Sequence, residues 1–212
     1  MDSSATGSVT ARVLDRVARD GSVVTVVWRP EREVSFGPRD RNHPAYVTVV
    51  DEVRAHGFSP VERSMGGRPV AMHRECLALV VGFPAGGTIR SRYRVVADAV
   101  EEALHDWGLQ TEQSCVPASF CPGEYSLVGT GKVAGFAQRV RTENAAVGGF
   151  VIVCAHDPIV DVLAPIYDLL ELPFEPGTVG SLERSGLDHT AEELLPQLED
   201  HLAREMESVD VN

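Results

Sequence analysis

The order of helical and strand-like segments predicts an α+β fold built as a single domain. The first part of the 212-residue chain intermixes helical and strand-like patterns. The second part contains three short strand-like segments with turns between them, at 124–128, 132–141 and 146–155. These three segments indicate a β-meander, and two helices then finish the chain. Such an order favours α+β over a doubly wound sheet.

The N-terminal segments give a helix, a strand, a loop and a second helix. Apolar residues recur at helical spacing over 9–20, and the β-branched run 23–28 predicts the first strand. The segment 29–43 contains seven charged side chains and is predicted to be a long loop. Pro44 suits the first position of a helix, which should run to residue 56.

The later segments are punctuated by glycine and proline. The apolar run 77–83 predicts a buried strand, and 89–107 has a long helical pattern. Thr190 and Glu193 form a capping box at the start of the last helix. Together these elements predict one catalytic domain over 9–204.

The two ends of the chain are predicted to lie outside this domain. Residues 1–8 are polar and predict a flexible N-terminus without the basic and apolar regions of a signal peptide. Residues 205–212 predict a frayed C-terminal tail. No stretch of eighteen uninterrupted apolar residues occurs, so no membrane span is expected. These features predict a cytoplasmic protein.

The charge composition argues against nucleic acid as a partner. The formal net charge is −12, with 31 acidic and 19 basic residues, whereas phosphate binding needs a basic surface. Eighteen of the basic residues are arginines and one is lysine, Lys132. An acidic composition with scarce lysine resembles adaptation to a salt-rich cytosol.

Lys132 follows the turn Gly129-Thr130-Gly131, which resembles a phosphate-binding loop. A Walker loop needs an earlier glycine and a Ser or Thr after the lysine, but Ser126 and Val133 occupy those positions. In a chain otherwise without lysine, its retention indicates a task that needs a compact ammonium, such as donation to one carbonyl oxygen.

Cys121 is the candidate nucleophile among four cysteines. It lies in a segment with loop composition, 114–124, and Pro122-Gly123 turns the chain directly after it. If Lys132 lies close by, its charge favours the thiolate. A loop cysteine without a role is the alternative. Cys76 and Cys154 lie in or beside apolar runs and are expected to pack as small core residues.

Two other catalytic classes find little support. The spacings of Cys115, Cys121, His73 and Cys76 do not match structural zinc sites, so no metal is expected. A serine hydrolase is disfavoured because no Gly-x-Ser-x-Gly turn exists. Paired glycines, as at 66–67, let a backbone approach a ligand closely.

The arrangement of these motifs resembles the biotin/lipoate protein ligase family. Three segments carry the resemblance, which covers roughly residues 10–200 and is most specific at the lysine. They are Arg63-x-x-Gly66-Gly67-Arg68-x-Val70 followed by His73, then Cys121-Pro-Gly-Glu-Tyr-Ser-Leu with Gly131-Lys132-Val-Ala-Gly135-Phe-Ala-Gln138, and 163–182. The chain departs from the family at Met65, where serine is usual, and at Pro69, where a small residue is usual.

The resemblance implies a fold and a set of roles. The fold is a mixed sheet flanked by helices, like the catalytic core of class II aminoacyl-tRNA synthetases. Cys121 would hold the acyl group as a thioester, and Lys132 would polarise its carbonyl. Gly66 and Gly67 would line the acyl slot. The full set of implied substrate-binding residues is Arg63, Gly66, Gly67, Arg68, His73, Gly135 and Gln138.

The sequence is compatible with three functions. The first is a transferase that moves an octanoyl or lipoyl group to a lysine of lipoyl domains and needs no cofactor. Its partners would be lipoyl domains of 2-oxoacid dehydrogenase E2, the glycine cleavage H protein, or acyl carrier protein. The second is the catalytic subunit of a lipoate ligase that uses ATP and Mg²⁺. The third is a non-catalytic homologue that binds lipoyl domains or acyl chains.

Overall fold

The computed structural model describes residues 6–207, which form six α-helices and nine strands. The helices are α1 (Thr6–Asp20), α2 (Pro38–Arg41), α3 (Tyr46–Ala55), α4 (Ile89–Asp106), α5 (Asp157–Leu169) and α6 (Ala191–Glu207). The strands are β1 (Val24–Trp28), β2 (Glu33–Phe36), β3 (Ser59–Glu62), β4 (Val70–Met72), β5 (Cys76–Pro84), β6 (Glu112–Gln113), β7 (Leu127–Gly129), β8 (Gly131–Val140) and β9 (Asn144–Ile152). Two short 3₁₀ turns, Pro176–Thr178 and Glu183–Ser185, precede α6.

The strands form two sheets. The larger sheet has the order β1-β5-β9-β8-β7-β6 and is antiparallel throughout. The smaller sheet has the order β3-β2-β4, in which β2 and β3 are parallel. The α+β prediction and the meander of β7, β8 and β9 are therefore confirmed. The parallel pairing expected of a mixed sheet lies in the small sheet.

The buried strand β5 divides the core into two layers because its side chains alternate between the faces of the sheet. Leu77, Leu79 and Val81 pack towards α4 and α6. Cys76 and Ala78 pack on the opposite face, against the small sheet, α3 and α5. Both faces are buried, which explains why β5 has a continuous apolar sequence.

Helix ends agree with the local sequence signals. The Thr190 backbone N–H donates to Glu193 Oε2 (2.9 Å), and the Glu193 N–H donates to Thr190 Oγ1 (3.3 Å). This reciprocal pair confirms the predicted capping box. In α1, the buried residues Val13, Leu14 and Val17 belong to the predicted apolar stripe.

The predicted long loop over 29–43 is wrong, because it contains β2 and α2. All four residues of β2 are buried, including the polar Glu33 and Ser35. The strand is short and polar at alternate positions, so its charged neighbours concealed it. Helix α3 begins at Tyr46 and not at Pro44, which lies in the preceding turn.

The described ends of the chain are more regular than predicted. Residues 6–8 belong to α1 and residues 205–207 to α6. The remainder of the predicted flexible ends, 1–5 and 208–212, lies outside the described residues. Within residues 6–207, no helix combines the length and apolar character that crossing a bilayer requires.

Candidate active site

Cys121 lies in the loop between β6 and β7 with a strained backbone. Its φ is +43°, a left-handed conformation that non-glycine residues rarely adopt. Two side chains hold it from both sides. The hydroxyl of Tyr167 accepts a hydrogen bond from Cys121 N (2.8 Å), and Lys132 Nζ donates to Cys121 O (2.6 Å). Strain of this kind persists where surrounding contacts fix it, often at functional sites.

Tyr167 links the loop that contains Cys121 (114–126, the cysteine loop) to the turn that contains Gly66 and Gly67 (66–68, the glycine loop). It is 1% exposed on α5, and its hydroxyl also donates to Pro69 O (2.9 Å). Burial raises the pKa of Tyr167 well above its usual value, so the hydroxyl stays protonated. The sequence did not single it out as a site residue. The available signal was a tyrosine on an apolar helix, because a buried hydroxyl needs partners.

The sulfur of Cys121 faces the backbone of the glycine loop. Arg68 N donates to Sγ at 3.3 Å, and such a bond stabilises negative charge on sulfur. Gly67 has φ +96°, and a Cβ built on it would lie 2.6 Å from Sγ. A side chain at position 67 would therefore displace the sulfur.

Lys132 is fully buried on β8 beside the same cysteine. Besides Cys121 O, its ammonium donates to Phe120 O at 3.1 Å, and it lies 5.1 Å and 5.7 Å from the ring centroids of Phe120 and Phe150. Burial lowers the pKa of Lys132 to about 8, while the nearby Cys121 and Cys115 act in the opposite direction. One of the three ammonium protons remains for another acceptor.

A β-bulge directs Lys132 into this position. Leu127 pairs with Ala134 while Val128 pairs with Lys132, so β8 has one extra residue opposite β7. The lysine side chain then crosses over Gly135, where a Cβ would lie 2.7 Å from Cε and 2.9 Å from Nζ. Gly135 is therefore needed for the lysine to lie where it does.

An apolar cleft opens beside Cys121 and encloses about 410 Å³ of empty space, part of it open to solvent. Its floor is formed by adjacent glycine-rich stretches of β8 and β9. A Cβ built on Gly148 would lie 2.6 Å from Met65 Sδ, and one on Gly149 would lie 2.5 Å from Phe136 Cδ1. The lining residues are Thr6, Ser35, Arg63, Met65, Val70, Met72, Leu79, Cys121, Gly135, Phe136, Ala137, Gly148, Gly149 and Phe150.

A second hollow adjoins the cleft on the other side of Cys121. Gly66 and Gly67 line it, together with residues 121–126, Phe136 and Ala137. Tyr93, which also lines it, stacks on Tyr125 with ring centroids 5.2 Å apart. The predicted glycine pair therefore lies near the sulfur, but it lines this hollow and not the apolar cleft.

Arg63 holds the glycine loop in place. It is 5% exposed, and its guanidinium donates to Gly66 O (3.2 Å), Arg68 O (2.6 Å) and the backbone and hydroxyl of Ser35. Its donors are thus engaged within the protein. Arg68 Nη1 lies 3.5 Å from the buried carboxylate of Asp40.

His73 and Gln138 are not brought to the sulfur. The Nδ1 atom of His73 accepts from Glu75 N (3.1 Å), and its Nε2 bonds Ala155 O (2.8 Å). Burial lowers the pKa of His73, which favours the neutral ring. Gln138 follows Ala137 on β8 and donates to Ile89 O at 3.5 Å. Neither residue is part of the lining of the cleft or the adjoining hollow.

Metal-ligand side chains do not converge on Cys121 within residues 6–207. The one group of three such side chains in that range is Glu102, His201 and Glu205, on α4 and α6. None of these three lines the cleft.

The family model of the lipoyl protein ligase A/B catalytic domain matches residues 8–202. The chain belongs to this family.

Curated relatives of this catalytic domain are named octanoyl-[GcvH]:protein N-octanoyltransferase. The protein from Exiguobacterium sibiricum is 31% identical over 126 residues, covering 58% of this chain and 46% of the relative. The protein from Lysinibacillus sphaericus is 25% identical over 151 residues, covering 69% and 54%. The chain therefore spans about half the length of the curated relatives it matches.

Solved structures share the fold of this lipoyl protein ligase A/B domain. Lipoate-protein ligase A bound with ATP has a TM-score of 0.72 at 16% identity, covering 92% of this chain and 78% of that one. A bipartite lipoate protein ligase from Thermoplasma acidophilum, studied with its E2 lipoyl domain, has a TM-score of 0.65 at 16% identity, covering 97% and 82%. At this identity the likeness concerns the fold.

Met65, at the position where the resemblance led us to expect serine, lines the cleft of this domain. It is 2% exposed and packs over Gly148 at the floor. In the larger sheet, Gly148 of β9 pairs with Ala137 of β8. This pair lies two residues along the strands from the pair of Phe150 and Gly135, which is beside the lysine. The sheet position that Met65 covers is therefore about 7 Å along the strands from the position beside the lysine.

Proposed function

We propose that this chain transfers an octanoyl or lipoyl group to a lysine of lipoyl domains through a thioester on Cys121. One observation carries the proposal. The sulfur of Cys121 lies at an apolar cleft, and the buried ammonium of Lys132 is held 2.6 Å from the carbonyl oxygen of Cys121. A nucleophile, a cation and an apolar pocket are the three parts that acyl transfer needs.

In the first step the Cys121 thiolate forms a C–S bond with the acyl carbonyl carbon of the donor. Collapse of the tetrahedral intermediate breaks the C–N bond of the donor amide. The donor lysine leaves as an amine after taking up a proton, which balances the proton lost from the thiol. The N–H of Arg68, 3.3 Å from Sγ, supports the thiolate before attack.

In the second step the neutral amine of the acceptor lysine attacks the thioester carbonyl. A C–N bond forms, the C–S bond breaks, and the thiolate is restored as the amine releases its proton to solvent. Each step exchanges one acyl bond for another, so the acyl group stays bonded to nitrogen or sulfur throughout. It therefore consumes no ATP and requires no Mg²⁺.

Lys132 is proposed to polarise the acyl carbonyl in both steps. Two of its protons are donated to backbone carbonyls, and the third is proposed to be donated to the oxyanion. Because the ammonium is withdrawn from water, a hydrogen bond to developing negative charge is stronger there than at the surface.

The remaining predicted residues divide into two groups. Gly135 and the apolar lining from β8 and β9 would hold the acyl chain. Gly66, Gly67 and the backbone of Arg68 would form the side of the hollow through which a lysine arm reaches the sulfur. Arg63 is proposed to act by positioning the glycine loop. The geometry gives no support to substrate contacts of His73.

The proposed donor is an octanoylated glycine cleavage H protein, and the proposed acceptors are E2 lipoyl domains. The names of the curated relatives support the donor. Acyl carrier protein is the alternative donor. The ATP-dependent reaction is less favoured, because the donors of Arg63 are engaged within the protein and are not free for a phosphate.

Intact-mass measurement of the full chain tests the thioester. The chain is incubated with a small, uncharged octanoyl thioester, and a hydroxylamine-labile octanoyl adduct is expected. Cys121→Ala removes the adduct. Cys115→Ala is the matched control, since Cys115 is an exposed thiol in the same loop, and it retains the adduct.

A second measurement separates the alternatives. ATP with free lipoate and an acceptor domain is supplied to the Cys121→Ala variant. Acceptor labelling under these conditions would establish the ligase and overturn the thioester. Absence of both the adduct and acceptor labelling in the wild-type chain would leave a binding protein.

A further inference from the structure

Two segments that contribute residues to the candidate active site contain no acidic residue. The whole chain has a net charge of −12, but the segments 76–97 and 125–142 contain no Asp or Glu. The basic residues within them are Arg90, Arg92, Arg94, Lys132, Arg139 and Arg141. In a protein with 31 acidic residues, this separation of charge indicates a surface that faces an anionic partner.

Two of these arginines are neighbours in α4 of a residue that lines the hollow beside Cys121. Tyr93 lines the hollow. Arg90 and Arg94 are exposed on the first turns of α4, on either side of Tyr93 in sequence. Their spacing of four residues places them on the same helix face. Like charges at this spacing destabilise a helix slightly, so the pair has no evident structural benefit.

Two more arginines lie beside the glycine pair, which also lines the hollow at Cys121. Arg39 and Arg68 line a surface hollow together with Gly66, Gly67 and Pro122. Arg39 is exposed, and Arg68 is 39% exposed at its side chain. Arginines of α4 and arginines beside the glycine pair therefore both lie near the hollow that contains Cys121.

Most of this charge is uncompensated. Among residues 6–207, no carboxylate lies within ion-pair distance of Arg39, Arg90 or Arg94. Arg68 is paired with buried Asp40. Glu124, which is exposed, is the acidic residue in the lining of the hollow. The surface around the hollow is thus locally positive on a strongly negative molecule.

We propose that Arg39, Arg68, Arg90 and Arg94 form an arginine rim that docks an acidic face of the protein domain carrying the acyl-lysine. This inference rests on the proposed function. Guanidinium groups suit this task because they bind carboxylates through two parallel hydrogen bonds and are weakly hydrated. The occupant is a protein domain and not a nucleic acid, because the proposed reaction takes the acyl group from a lysine side chain.

Charge reversal on α4 tests the rim. The variant Arg90→Glu/Arg94→Glu is compared with Arg12→Glu/Arg16→Glu on α1. The control has the same spacing and the same change of charge, and its hollow shares no residue with the cleft. Each variant is assayed with the small uncharged octanoyl thioester and with octanoylated H protein of net negative charge.

For the α4 variant we expect kcat/KM with the protein donor to fall about tenfold or more, mainly through KM, while labelling by the small thioester is unchanged. The control keeps both activities. The difference between the variants with the protein donor should decrease as ionic strength rises, because salt screens the contacts.

Three results would overturn the rim. The first is an unchanged kcat/KM of the α4 variant with the protein donor. The second is an equal loss of activity with the protein donor and with the small thioester. The third is a loss of activity in the α1 control equal to that in the α4 variant. The last would assign the effect to net charge rather than to location. Failure of the wild-type chain to react with the small thioester is a separate result, which contradicts the thioester on Cys121 without involving the rim.

Discussion

Cys121 and Lys132 are connected through the cysteine backbone. The ammonium binds the Cys121 carbonyl at 2.6 Å, while the sulfur meets the Arg68 N–H at 3.3 Å. Lys132 therefore fixes the left-handed backbone and at the same time provides positive charge near the sulfur. Arginine is a poor substitute at this site, because its larger planar head would meet Gly135 and the two aromatic rings.

The protonation of Lys132 gives a prediction for activity. Its pKa is lowered to about 8 by burial, so the ammonium loses its proton as the pH rises through that value. We expect acyl transfer to decline over the same range. Because the chain has one lysine, ¹³C-lysine labelling gives a single side-chain signal whose midpoint can be read directly. A midpoint at the ordinary value of 10.5 would contradict the prediction.

The lowered pKa of Lys132 also affects the free energy of unfolding. Between pH 8 and 10.5 the unfolded chain binds a proton at Lys132 that the folded chain does not. This residue therefore makes the free energy of unfolding rise with pH across that window. The contribution is absent in Lys132→Met. Urea unfolding of both proteins from pH 7.5 to 10.5, reported as the difference between them, isolates it.

Met65 gives a prediction for acyl-chain length. It is 2% exposed and lines the cleft, so Met65→Ala enlarges the cleft. We expect the preferred thioester to shift to a longer chain, with a loss of about 2–5 kcal/mol in the free energy of unfolding. Labelling rates across a series of acyl thioesters measure this, and Met65→Leu serves as the control of similar volume. Identical chain-length profiles would contradict the prediction.

At the scale of elements, the cysteine loop depends on helix α5. The loop between β6 and β7 has left-handed residues at both Ala118 and Cys121, and Tyr167 of α5 bonds its backbone at the cysteine. The same hydroxyl reaches Pro69 next to the glycine loop. A single side chain thus couples two loops that meet at the sulfur.

Tyr167→Phe tests this coupling. It leaves the buried Cys121 N–H and Pro69 C=O without their partner, which should lower the free energy of unfolding by about 1–3 kcal/mol and slow labelling of Cys121. The control is Tyr46→Phe, because Tyr46 packs on Phe36 in the same core and its hydroxyl makes no hydrogen bond within residues 6–207. Equal effects of the two changes would contradict the coupling.

At the scale of the whole molecule, the two sheets are joined by one core. Val34 and Phe36 of the small sheet pack with Ala78 and Ile152 of the large sheet and with α5. The site lies where these layers meet, since Arg68 and Cys121 come from opposite sides of the contact. Loss of either sheet would therefore remove the site.

A shared core predicts one cooperative unfolding transition. The two tryptophans report separate regions, because Trp28 packs near the small sheet and Trp107 packs against α4 and α6. In Trp28→Phe and in Trp107→Phe, the fluorescence comes from the one tryptophan that remains. For each variant, the urea midpoint measured by fluorescence should shift from the wild-type value by the same amount as the midpoint measured by circular dichroism. Midpoints that depend on the probe would indicate two independent domains.

The sequence by itself determined the α+β class, the meander and the capping box before α6, and it predicted Cys121 and Lys132 as the catalytic pair. These features depend on local periodicity, turn residues and residue type, which are all visible along the chain. The resemblance to the family depended on the same short segments.

Only the tertiary structure decided which groups surround the sulfur. The Tyr167 hydroxyl and the Arg68 N–H reach Cys121 across 46 and 53 residues of sequence, and a bulge opposite β7 directs Lys132. In the structure, His73 lies away from the sulfur, and Gly66 and Gly67 line the adjoining hollow and not the cleft. Contacts between distant segments depend on how layers pack, which no local pattern of residues specifies.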